Sequence, residues 1–225
     1  MPGRRSTSRR SAAWVLSLAL VAALALAGCA SSGTQYVSNS ADHTYFKVPS
    51  GWKLFGEKTI VDANHALSKD QRNQILDTSW RTAFDASPRP SLQHLANADA
   101  AFPTGYAIVD TLSAKDSDTM SDSAMRNMFF QVDTLYDAQQ LKMLSYQSVD
   151  RGNGLHGVRL RARVKSDPSS KVYAEGPAFT FEQVTLVDQS RTKTYSLIVV
   201  CSSTCFEKQT DRIEGVVDSW TVEKS

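Results

Sequence analysis

The sequence predicts a domain of the α/β class, a mainly antiparallel sheet with helices packed against it. Three patterns carry the prediction. From Leu141 onward apolar residues recur with period two between turn signals, as half-buried strands require. Met125, Met128, Phe129, Val132, Leu135 and Tyr136 fall at i, i+3, i+4, i+7, i+10 and i+11, one apolar face of a helix. Phe206, Ile213, Val216, Val217 and Trp220 recur at helical spacing near the end, so a last helix is expected to pack on the sheet.

The chain of 225 residues opens on Arg4, Arg5, Arg9 and Arg10, followed by an uncharged run from Ser11 to Gly28 that ends in small residues, the layout of a secretory signal. The run is alanine-rich, is interrupted by Ser17 and is shorter than the roughly 20 residues of a bilayer span. Leu26-Ala27-Gly28-Cys29 resembles a bacterial lipobox. The resemblance implies that the Cys29 sulfur receives a diacylglycerol, that the chain is cut after Gly28, and that the new N-terminus takes a further acyl chain such as palmitate. Each buried methylene contributes about 0.8 kcal/mol, so two or three acyl chains anchor a protein that one would not hold. The expected location is the extracytoplasmic face of the cell membrane, reached by lipid anchor. Arg9-Arg10 lacks the bulky apolar pair of a twin-arginine signal, because Ser11-Ala12-Ala13 follows, so export in the unfolded state is expected.

Composition narrows the partners. The leader carries four arginines and no acid, leaving 21 basic against 23 acidic residues in the mature chain, a formal charge of −2. A nearly neutral surface argues against nucleic acid, which calls for a basic footprint. Cys201 and Cys205 are the remaining cysteines, and an even pair in an exported protein reads as a disulfide; on a helical turn their Cα atoms would stand about 6 Å apart. Redox chemistry is disfavoured, since Ser202-Ser203-Thr204 supplies neither the two-residue spacing nor an activating neighbour.

The first 28 residues are read as the leader, 29–44 as a flexible Ser/Gly/Asn/Thr tether and 45–225 as one domain. Tyr45 to Phe55 reads as strand, Pro49-Ser50-Gly51 turn and strand, with aromatics to seal one end of a core. Ser68-Lys69-Asp70-Gln71 has the form of a capping box, so a helix runs to about Asp77. Ser79 to Asp85 either continues it or turns to strand, and Pro88 and Pro90 force a loop. Gly105 to Leu112 is a strand leading to a polar linker, and the Met125–Tyr136 stripe is read as core rather than as an adaptable methionine surface. Gly152-Asn153-Gly154 and Asp167-Pro168-Ser169-Ser170 mark turns, and Thr194 to Val200 is apolar enough for a central strand covered on both faces. Thr221-Val222 trails the last helix.

Phe46-x-Val48-Pro49-x-Gly51-Trp52, Gly154-Leu155-x-Gly157 and Ile213-x-x-Val216-x-x-Ser219-Trp220 together resemble PsbP-type domains, a family that includes actinobacterial lipoproteins of the LpqN kind. The resemblance spans about Tyr45 to Val222 and implies an α/β/α sandwich with a central mainly antiparallel sheet. It also implies a non-enzymatic binding or assembly module, and it transfers no functional residue because the matching positions are scaffold. Thr59 to Pro103 falls outside it.

Arg159, Arg161, Arg163 and Lys165 alternate with Val158, Leu160, Ala162 and Val164, placing four cations on one strand face along about 20 Å. Such a row can grip anionic lipid, wall polymer or an acidic envelope protein, or it can be a face neutralised across the ladder by acids such as Glu182. Asp116, Asp118 and Asp122 lack the glycine and closing glutamate of a calcium loop. His43, His65, His94 and His156 are scattered without ligand spacing, so no metal or cofactor is expected. Neither a G-x-S-x-G elbow nor an S-x-x-K element is present, so no catalytic residue is assigned, and an unrecognised hydrolase remains the enzymatic alternative.

Overall fold

The computed structural model describes residues 33–152, 154–165 and 178–223. The leader, Cys29 and the Asp167–Ser170 turn therefore lie outside the described residues. The chain divides after Gly33, and Thr34–Ser225 form one unit. Its elements in order are β1 (Thr34–Asn39), β2 (Thr44–Pro49), β3 (Lys53–Phe55), α1 (Glu57–Ala63), α2 (Lys69–Thr78), β4 (Ser79–Asp85), a 3-10 turn at Leu92–Ala96 and β5 (Thr104–Thr111). Then come α3 (Ala114–Thr119), α4 (Asp122–Arg126), α5 (Val132–Asp137), β6 (Leu141–Asp150), β7 (His156–Val164), β8 (Phe179–Val187), β9 (Lys193–Ser202), α6 (Ser203–Asp218) and β10 (Thr221–Val222).

Seven strands make one sheet in the order β3-β4-β5-β9-β8-β7-β6, antiparallel at every pairing. Its strands present two faces by alternation. On one, Val184, Leu186, Leu197 and Val199 pack against Phe206, Ile213, Val216 and Val217 of α6. On the other, Val158, Leu160, Ala162, Phe181 and Ile198 pack against Met125, Val132 and Leu135 of α4 and α5. The arrangement is the α/β/α layering expected, and β8 and β9 are buried from end to end or nearly so, as strands covered on both faces should be.

Local signals were decisive where they were complete. Ser68 Oγ accepts from Gln71 N at 3.2 Å while Ser68 N donates to Gln71 Oε1 at 2.8 Å, both halves of the capping box, and α2 begins there. Ser79 to Asp85 resolves as strand, paired with β5.

Two expectations are corrected. The tether ends earlier than read: Thr34–Asn39 pairs with β2 and buries Val37 and Asn39, so the domain begins at Thr34 and 29–44 is not wholly linker. The apolar stripe from Met125 is not one helix but two, broken at 127–131. There Asn127 donates through Nδ2 to Ser123 O (2.8 Å) and Asp133 Oδ2 (2.8 Å), and accepts from Asp133 N at 3.0 Å. These side-chain bonds compete with the helical ladder. Phe130 then swings onto Phe181 at 4.7 Å, and Tyr136 stands exposed. The stripe is nonetheless core, since Met125, Val132 and Leu135 are buried. The strand, turn and strand read over Tyr45 to Phe55 are present, and the Pro49 turn, closed by Trp52 N to Pro49 O at 2.9 Å, joins strands of different sheets. β2 lies between β1 and β10 in a three-stranded sheet, while β3 edges the large one. The aromatic seal expected there is present, with Phe46 5.5 Å from Trp220 and Trp52 stacked 5.6 Å from Phe84.

Candidate functional site

The basic strand lies at a seam. Because Val158, Leu160, Ala162 and Val164 face α4 and α5, the alternate residues Arg159, Arg161 and Arg163 must face α6. Register puts Arg161 opposite Glu182, which is 2% exposed. Glu182 Oε1 accepts from Arg159 Nε (2.8 Å) and Nη2 (2.5 Å), and Oε2 accepts from Arg161 Nε (3.0 Å) and Nη2 (2.6 Å). Acids on one side of α6 complete the row. Arg159 donates to Asp218 at 2.6 Å, Arg161 to Glu214 at 2.5 Å and Arg163 to Glu207 at 2.6 Å. Lys165 Nζ donates to the Gln139 carbonyl at 3.0 Å. Of the two sequence readings, the geometry matches the neutralised face. The arginines fasten the helix to the sheet, and their forks are occupied by carboxylates.

A different group of polar side chains meets a cavity. β4 ends at Asp85, whose partner in register is Thr104, and Pro88 and Pro90 carry the chain away to the 3-10 turn holding His94. Asp85 is fully buried. Its Oδ1 accepts from Ser87 N at 2.7 Å, and its Oδ2 accepts from Ser91 N at 2.8 Å, from Ser87 Oγ at 3.1 Å and from His94 Nδ1 at 2.7 Å. Burial pushes the carboxyl pKa up, but these donors outweigh it and hold Asp85 below the usual carboxylate range. An ionised carboxylate only accepts, so the shared proton sits on Nδ1 of His94 and the ring orientation is set. Ser91 meanwhile caps the turn by accepting from Gln93 N at 3.2 Å. Asp85, Ser87, Pro88, Arg89, His94, Asn97, Phe102 and Thr104 line a cavity of about 460 Å³.

An Asp, a His and a Ser in contact invite comparison with an acyl-transfer triad. Such a relay needs the acid on one ring nitrogen and the hydroxyl on the other. Here Ser87 Oγ lies 3.3 Å from Nδ1, the same nitrogen that Asp85 holds. The group therefore orients an imidazole and rigidifies a loop, and Ser87 is not placed as a nucleophile.

A second ionisable group lies on the same sheet face, four residues back along β4. Arg81 stands 3.6 Å from Asp110 and bonds the Ser79 hydroxyl. Burial pushes the carboxyls of Glu57 and Asp110 and the phenol of Tyr106 up, with the Arg81 charge opposing it.

Cys201, at the end of β9, is bonded to Cys205 in the first turn of α6, with Cα atoms 5.9 Å apart. Among the described residues no group of three His, Cys, Asp or Glu could hold a metal ion, and no helix is long and apolar enough to cross a membrane. Sequence reasoning treated His94 as one of four scattered histidines. The available signal was Asp85 at a strand end with Ser87 two residues on, the pattern of a side chain capping its own turn.

No family model matches the chain, and no curated protein matches it by sequence. Solved structures do. Cyanobacterial PsbP (CyanoP) from Synechocystis sp. PCC 6803 is 15% identical, covering 87% of this chain and 96% of that one at a TM-score of 0.48. LpqN of Mycobacterium tuberculosis, described as involved in cell envelope biogenesis, is 14% identical over 85% of this chain and 92% of that one, with a TM-score of 0.47. The Saccharomyces cerevisiae Ran-binding protein Mog1p is 14% identical over 85% and 96%, with a TM-score of 0.43.

Proposed function

We propose that the chain is a lipid-anchored, extracytoplasmic module of the cell envelope that binds a partner or ligand and performs no reaction of its own. The observation that carries the binding reading is the cleft at the end of β4, where Asp85 locks His94 at the wall of a cavity without placing a nucleophile on the second ring nitrogen. The anchor is supported by Leu26-Ala27-Gly28-Cys29, and the Cys201–Cys205 bond suits a chain that folds outside the reducing cytoplasm. An anionic partner is better served by this cleft than by β7, whose arginines already hold Glu182, Glu207, Glu214 and Asp218.

Expression of the whole chain with labelled palmitate, in a bacterium that lipidates exported proteins, tests the anchor. The label should appear on the protein in the membrane fraction and vanish in Cys29→Ser, which should become soluble. Unlabelled wild type, or a Cys29→Ser variant still held in the membrane, would overturn it.

A further inference from the structure

We infer that the cleft beside Asp85 is a binding site for a small ligand that joins an oxyanion, phosphate or carboxylate, to a compact apolar group. The inference rests on the reading of the chain as a binding module and names the ligand chemistry of its cleft.

The argument begins with what the cleft withholds. Asp85 contributes the acid at its floor, but the carboxylate is buried and takes four donors from Ser87, Ser91 and His94. Its charge is met by donors of the protein itself, three on Oδ2 and one on Oδ1, so it does not solicit a cation from the cavity. What it presents instead is the rest of the His94 ring. Nδ1 is engaged, and Nε2 has no protein partner among the described residues, while the side chain is 36% exposed at the cavity wall.

The remaining polar wall offers donors in Arg89 and Asn97 and, with the Nδ1 proton held by Asp85, an acceptor in His94 Nε2. Arg89 lines the cavity and makes no ion pair among the described residues, unlike the arginines of β7. It sits between Pro88 and Pro90, and two locked φ angles limit the freedom its backbone would lose on binding. The Asn97 amide joins it. A guanidinium fork beside an amide matches the oxygens of a phosphate or a carboxylate, and the unprotonated Nε2 accepts the hydroxyl hydrogen of a singly ionised phosphate monoester.

The other wall is apolar. Pro88, Ala100, Ala101 and Phe102 face the same space, and Phe102 is 40% exposed. A cavity of about 460 Å³ lies within the range that small ligands fill, roughly 300 to 1,000 Å³. Donors on one side and an aromatic ring on the other select a ligand with an anionic end and a flat or compact apolar end.

Titration calorimetry of the detergent-solubilised full chain with phenyl phosphate, benzoate and inorganic phosphate tests the assignment. Phenyl phosphate or benzoate should bind at one site. Arg89→Ala should weaken that binding by about tenfold or more, as loss of a charge-assisted hydrogen bond does, and Phe102→Ala should bring phenyl phosphate down to the affinity of inorganic phosphate. Arg212→Ala, a cation on the exposed side of α6, should leave binding unchanged. Both substituted loop residues are exposed, so thermal melts of the variants should match wild type. Absence of binding by phenyl phosphate and benzoate, or equal weakening by Arg89→Ala and Arg212→Ala, would overturn the site while leaving the Cys29 anchor untouched. Release of phenol from phenyl phosphate, lost with Arg89→Ala, would support the site and overturn the non-catalytic reading instead.

Discussion

Replacing Glu182 by glutamine removes one charge from the seam between sheet and helix and leaves its shape. Glu182 is 2% exposed and accepts four hydrogen bonds from two guanidiniums. Removing one partner of a buried ion pair costs about 3 to 5 kcal/mol, because the other charge is left uncompensated. Here the stranded charges are Arg159 and Arg161, whose side chains are 28% and 21% exposed and which keep Asp218 and Glu214 as second partners. Solvent and these acids recover part of the loss, which places the cost at about 2 to 3 kcal/mol. For a domain of this size that corresponds to roughly 4 to 12 °C in Tm. Urea denaturation monitored by circular dichroism, with Asp218→Asn as reference, measures it. Asp218 is 61% exposed, so its replacement should cost less than about 1 kcal/mol. If the two variants fall within about 0.5 kcal/mol of each other, the seam is ordinary surface electrostatics and the reasoning fails.

Three further outcomes follow from the packing. A Cβ on Gly157 would press into the Thr185 carbonyl oxygen and lie 2.8 Å from Leu186 Cα, both backbone, so Gly157→Ala should cost about 3 kcal/mol or more, whereas Gly215→Ala, with open space inside α6, should stabilise by about 0.5 to 1 kcal/mol in the same denaturation assay. Cys201→Ala with Cys205→Ala opens a loop of sequence separation 4, and chain entropy predicts a loss of about 2 kcal/mol in a chemical melt. Burial, with the charges of Asp188 and Asp42, pushes the Tyr195 phenol up to about 12. Between the ordinary phenol value near 10 and that value the native state holds a proton the unfolded chain has lost. Stability should therefore fall as pH rises through that window, by at most about 1.4 kcal/mol per unit, and Tyr195→Phe should flatten the fall in a pH series of melts.

The parts of the fold that were legible are those whose partners lie close along the chain. The capping box at Ser68 and Gln71 closes over three residues, and both of its bonds form. The alternation of β7 told correctly which residues share a face, because period two is a property of one strand. The break at 127–131 was hidden for the opposite reason. The apolar spacing from Met125 to Tyr136 fits one helix, and only the contacts of Asn127 with Ser123 and Asp133, and of Phe130 with Phe179 and Phe181, select two. In Thr34–Asn39 a polar composition masked a strand that exists by pairing with β2.

The candidate site divides in the same way. Arg159, Arg161 and Arg163 were recognised as a row, and Glu182 as an acid able to neutralise it, but Glu207, Glu214 and Asp218 come from 44 to 59 residues away. Asp85 and His94 are nine residues apart across a proline loop, and no periodicity joins them.

By itself the sequence determined the class of the fold, the two-faced character of its strands, the disulfide and the resemblance of its leader to a lipobox, since each is written in neighbouring residues or in a simple repeat. Which face of the basic strand meets a helix, and which histidine meets a buried carboxylate, depended on loops and pairings that bring distant residues within about 3 Å. Hydrogen bonds form only at about that range and ion pairs are strongest there, so their partners were settled by tertiary structure alone.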